Sequence, residues 1–176
     1  MKKLMFLAFI VLLTAAMSAP AMAAGLDDLK TSFTGLKWGS SPKDLKNAVK
    51  VAEDDPEMDD APPYASAYTV KDVDIAGIKA DTVWYYYYKD QLMGARWQAN
   101  DLEAMIDALT KAYGQPSAAD QFGDQKNQSV DKADAVAWSV VLDPDASEIV
   151  VIMCDRATKY ANIVNTKYLN EIMPEE

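Results

Sequence analysis

The 176-residue chain contains no histidine. That absence removes the Ser-His-Asp and Cys-His nucleophile systems, the usual general base at neutral pH and the commonest zinc ligand. Cys154 is the single cysteine, so no intramolecular disulfide can form and stability must come from a packed core. Basic residues are scarce: 17 Lys and Arg face 27 Asp and Glu, a formal net charge of -10. Such a chain is not a nucleic-acid binder, because phosphate neutralisation needs a basic face. Its 7 glycines are dispersed, which excludes a glycine-rich phosphate loop. Hydrophobic residues make up 50% and charged residues 25%, the proportions of a globular chain rather than a disordered one.

A long apolar run occurs only at the start. Lys2 and Lys3 precede the apolar stretch Leu4 to Met17, and Ala21-Met22-Ala23 supplies a small-x-small cleavage site, the pattern of a secretory signal peptide. The run is too short for a comfortable membrane span, which takes about 20 residues. Residues 1–23 are therefore expected to be removed, leaving 24–176 as one domain with 15 basic and 27 acidic residues. No cysteine sits beside the cleavage site, so neither a lipid anchor nor another stable membrane anchor is expected. The periplasm is the expected location, with secretion beyond the cell as the alternative. Cys154 closes the run Ile149 to Met153, a setting for a buried thiol rather than a reactive one.

Ser41 as cap, Pro42 in the first turn and Asp44 completing a capping box predict a helix start. Leu45, Ala48, Val49 and Ala52 continue it as one apolar stripe, ended by the acidic stretch before Pro56. From Ala67 the pattern becomes β-branched and aromatic, predicting strands near 67–72, 75–88 and 91–99, with Ala76-Gly77 a bulge or a hairpin turn. Asn100 or Asp101 caps a second helix whose Leu102, Met105, Ile106, Leu109 and Tyr113 share a face, and Gly114 and Pro116 end it. A polar loop, Ser117 to Asp131, leads to a hairpin of 135–142 and 148–155 turned at 143–147. Residues 159–172 fit either a helical stripe or a third strand, and strand is preferred because Asn162, Asn165 and Thr166 lower helix propensity.

These elements predict an α+β domain in which two short helices pack on an antiparallel sheet. Their order suggests two α-β-β-β halves, 33–99 and 100–168. The stretch Phe33 to Pro42, the aromatic strand running into Tyr88-Lys89-Asp90-Gln91-Leu92, and Tyr113-Gly114-Gln115-Pro116 resemble small exported bacterial domains. The arrangement is similar to β-lactamase-inhibitor-like domains and to the small outer-membrane assembly lipoproteins, although the lipoprotein cysteine is absent. The resemblance implies fold and compartment and transfers no catalytic residue.

The most unusual segment is Val83-Trp84-Tyr85-Tyr86-Tyr87-Tyr88. On a strand Trp84, Tyr86 and Tyr88 share one face, and Arg96 and Trp97 follow across the turn. Such a ladder either stacks against a partner or packs under helices. Trp84, Tyr86, Tyr88, Arg96 and Trp97 are the candidate binding residues. Trp38 reads as a core plug rather than part of a ligand cage. Carboxylates crowd Glu53 to Asp60, but without EF-hand spacing and between prolines, so a solvated loop is preferred to a metal site. Ser40-Ser41-Pro42-Lys43 is taken as a helix start and not as a Ser-x-x-Lys acylation motif. No carboxylate pair stands out in an apolar setting. The expected function is therefore non-catalytic binding, without metal or cofactor, of an envelope protein or peptide. A small-molecule or carbohydrate module and a histidine-independent carboxylate hydrolase are the alternatives.

Overall fold

The computed structural model describes residues 25–59, 61–119 and 134–172. The expected signal segment and most of the polar loop lie outside the described residues. Strands β1 (Ser32–Phe33) and β2 (Leu36–Lys37) form a separate small hairpin. A second, eight-stranded sheet contains β3 (Val49–Lys50), β4 (Ser66–Ile75), β5 (Ile78–Tyr88), β6 (Gln91–Gln98), β7 (Ala118–Ala119), β8 (Ala135–Asp143), β9 (Glu148–Asp155) and β10 (Tyr160–Asn165). Its order is β3-β4-β5-β6-β10-β9-β8-β7, with every neighbouring pair antiparallel. With helices α1 (Leu102–Tyr113) and α2 (Thr166–Ile172) this is an α+β fold. Each half of the sheet is a meander of consecutive strands, and the two meet where Gln98 to Gly94 of β6 pair with Tyr160 to Val164 of β10. No helix among the described residues is long and apolar enough to cross a membrane.

Short-range chemistry accounts for the turns. Ala76 and Gly77 both have positive φ, 53° and 85°, the shape that matches the right-handed twist of a tight hairpin. Asp74 Oδ1 accepts the Gly77 amide at 3.0 Å. The pair is thus the hairpin turn, and β4 runs on to Ile75. Asp101 caps α1, its carboxylate accepting the Ala104 amide at 3.0 Å, and Gly114 ends the helix at φ 87°. Leu102, Met105, Ile106 and Leu109 are buried, as their spacing predicts.

The helix expected after Pro42 does not form. Ser41 and Asp44 do make their capping box, but it closes only a 3-10 turn, Pro42–Asp44. Asn47 then turns to φ 57°, and Val49 and Lys50 pair with Thr69 and Tyr68. A stripe this short barely repays helix nucleation, whereas β4 offers it a ready hydrogen-bonding partner. Val49, counted in the apolar stripe, is 66% exposed. The second helix lies instead in 159–172, which divides into β10 and α2. The first half of the chain therefore opens on a 3-10 turn where an α-helix was expected.

The sheet is packed on both sides. On one, Val83, Tyr85, Trp97, Ile163, Ile152 and Trp138 lie in the main core with α1 and with Leu29 and Phe33 of the N-terminal segment. On the other, Ala67, Tyr86, Met93 and Tyr168 form a smaller cluster joined by Val51, Met58, Leu169 and Ile172. Trp38 touches both clusters, and its Nε1 donates to the Leu29 carbonyl at 2.6 Å, the plug role its sequence position suggested. Cys154 is fully buried, and burial pushes its thiol up to about 12.

Gly94 pairs with Val164 where β6 runs tightly against β10. A Cβ there would stand 2.7 Å from the Ile163 carbonyl oxygen, a backbone atom that cannot swing aside. Gly94→Ala is expected to cost about 1–3 kcal/mol by forcing the two strands apart. Urea denaturation of the variant checks this, and an unchanged midpoint would refute the close approach.

Candidate functional site

Strand β5 sends Tyr85 and Tyr87 to the main core and Trp84, Tyr86 and Tyr88 to the opposite side. Both inner tyrosines are buried. The Tyr85 hydroxyl shares a 2.8 Å hydrogen bond with Thr34 Oγ1; burial raises its pKa and this bond partly offsets the rise. Tyr87 packs edge-to-face against Tyr68 at 5.4 Å, and its hydroxyl has no partner among the described residues. Burial holds it well above the ordinary phenol range.

Two of the five candidate residues are closed to a partner. Trp97 is 0% exposed and stacks on Phe33 at 5.4 Å in the main core, on the side away from Trp84. Tyr86 is 4% exposed, packed with Met93 and Tyr168 of α2. The expectation that these two lie on a contact surface is thus corrected, because the main core covers Trp97 on one side of the sheet and α2 covers Tyr86 on the other. Tyr88 stays half-buried at the hairpin end, with Lys89 Nζ 4.7 Å above its ring.

Trp84 and Arg96, also half-buried, stand directly opposite each other across β5 and β6. The pairing of β6 with β10 adds a residue the sequence did not point to, Tyr160. The Arg96 guanidinium lies 3.8 Å over the Tyr160 ring, and Trp84 meets that ring edge-to-face at 6.4 Å. A stacked guanidinium and two aromatic rings form one preorganised cluster. It continues across the sheet through Asn162, Met153 and Ala137, which oppose Arg96 and one another in register. All three are half-exposed, as are Val151 and Ala135 on the same side.

Among the described residues the remaining motifs bring no base to a nucleophile and no set of metal ligands together. Ser40 and Lys43 do have the Ser-x-x-Lys spacing, which corrects the reading of that run. However, Ser40 Oγ is buried without a hydrogen-bond partner among the described residues and Lys43 is exposed, so none of those residues contacts the hydroxyl as a base. In the acidic loop Asp55 accepts the Glu57 amide at 2.9 Å, within a 3-10 turn. Among the described residues no three His, Cys, Asp or Glu side chains converge as metal ligands. Glu103 takes a two-pronged contact from Arg156 at 2.7 and 3.0 Å, which holds its carboxyl below the ordinary range and ties α1 to the turn before β10. Compared with protein-family models, curated proteins and solved structures, the chain finds no significant match.

Proposed function

We propose that the mature chain is a non-catalytic exported binding domain of the cell envelope, and that a protein or peptide docks on the sheet side bearing Trp84, Arg96 and Tyr160. The observation that carries this reading is the cluster itself: two large rings and a guanidinium, packed against one another and only partly buried on the sheet. Trp, Tyr and Arg are enriched among the few residues that dominate binding energy at protein interfaces. Half-exposed Met153, Val151 and Ala137 beside them supply apolar area. The domain is proposed to consist of two related halves, 33–99 and 100–168. The mirrored strand order about β6 and β10 supports this, and with it the resemblance to β-lactamase-inhibitor-like and outer-membrane assembly domains.

The test is to immobilise the mature chain, pass an extract of its own cell envelope over it, and identify what is retained. Trp84→Ala and Tyr160→Ala should each weaken retention of that partner by about 2 kcal/mol, roughly thirtyfold, with unchanged circular dichroism. A partner held equally well by both variants would remove this face from the function.

A further inference from the structure

On the side of the sheet opposite Trp84 lies a cleft of about 850 Å³, within the size range of small-molecule sites. Three separate parts of the chain form it: the N-terminal turn with the β1–β2 hairpin, the β4–β5 turn, and one flank of α1. Its walls include Leu29, Phe33 and Ile75, which are core residues at 2%, 2% and 1% exposure. Ala104, Ala108 and Ala112 recur every four residues along α1 and give it a smooth apolar side.

The ionisable groups of the lining are Asp28, Asp74, Asp107, Lys111 and Tyr113. Each carboxylate comes from a different wall, so the negative charge surrounds the cleft instead of following from one acidic stretch. Two of the three are fixed by turn chemistry: Asp28 accepts the Gly25 amide and Asp74 the Gly77 amide, both at 3.0 Å. Burial chiefly raises the Tyr113 pKa, and the Asp28 charge adds to the rise. Yet these carboxylates do not converge as ligands for a metal ion. An occupant must therefore carry positive charge at spaced points and apolar surface between them.

We infer that the cleft binds a linear aliphatic polyamine, its ammonium groups meeting Asp28, Asp74 and Asp107 and its methylenes lying along the alanines of α1. Tyr113 adds an aromatic ring to the lining, whose face attracts an alkylammonium. Lys111 opposes the cation and sets the limit on its affinity. This site is independent of the Trp84 cluster.

Spermidine titrated into the mature chain, followed by calorimetry and by amide NMR, tests the inference. Saturable binding is expected, with the largest shifts at Gly35 and Gly77, which line the cleft. The double variant Asp74→Asn/Asp107→Asn should weaken it at least tenfold, and Ala104→Phe, which fills the cleft, should abolish it. Lys111→Gln should tighten it about threefold, the direction expected on removing a like charge. Asp107 is exposed and Ala104 only half-buried, and if Ala104→Phe lowers the melting temperature the asparagine variant still decides. Affinity unchanged in the double variant overturns the inference, as does loss of binding on neutralising Glu53, Asp54 and Asp55 instead. Equally tight binding of uncharged 1-octanol overturns the cationic assignment.

Discussion

Replacing Trp97 by alanine is expected to lower the unfolding free energy by about 3–5 kcal/mol. The indole is 0% exposed, and it stacks on Phe33 on a strand flanked by β5 and β10. Its removal leaves a cavity at the junction of the N-terminal segment and both halves of the sheet, where little can collapse to fill it. Against a typical total of about 5–15 kcal/mol this is a large fraction. Trp84→Ala, which loses one aromatic pair with Tyr160, should cost only about 1 kcal/mol. Urea denaturation of the two variants side by side measures the contrast. Equal losses would mean that the two tryptophans are not on opposite sides of the sheet as described.

Alkaline pH is expected to destabilise the protein. The Cys154 thiol, held to about 12 by burial, would ionise near 9 in the unfolded chain. Between those values the unfolded state sheds a proton that the folded state keeps, so stability falls as pH rises, by about 1.4 kcal/mol per unit. Over the whole interval that amounts to about 4 kcal/mol from one group. Above the ordinary phenol range Tyr85, Tyr87 and Tyr113, all raised chiefly by burial, act in the same direction. Their contribution is complete below that range and is lost above it. The thiol's share can be separated because it begins at lower pH than the phenols. Cys154→Ala should flatten the decline in urea midpoint between about pH 9 and 10, leaving the steeper fall beyond it. A decline equally steep in the variant would assign the effect elsewhere.

What the sequence made legible is what neighbours in the chain decide. Asp101 and Gly114 bound α1 as their capping chemistry requires, and Ala76-Gly77 and Lys89-Asp90 turn the two hairpins around β5. The burial of Cys154 followed from the apolar run before it. What stayed hidden depends on strands far apart in the chain. Trp-Tyr-Tyr-Tyr-Tyr is apolar on both sides of its strand, so alternation alone could not say which side meets solvent; α2, itself half-concealed in an ambiguous segment, closes one end of it over Tyr86. Tyr160 joins Arg96 only through the β6–β10 pairing, which no local pattern announces. Val49 looked helical because the sequence does not show that β4 lies beside it. The cleft likewise combines Asp28, Asp74 and Asp107 from three elements, none of which is unusual in its own surroundings.

The meeting of β6 with β10 also governs how this protein can associate with itself. Each is an interior strand only because it has the other. Opening that one ladder would leave two four-strand fragments on a single tether, each showing a row of unsatisfied amides and carbonyls. The best complement to either row is the matching half of a second molecule, and exchanging halves rebuilds every native contact. A dimer made by this exchange has the monomer's own interface, so concentration and partial unfolding alone decide when it forms.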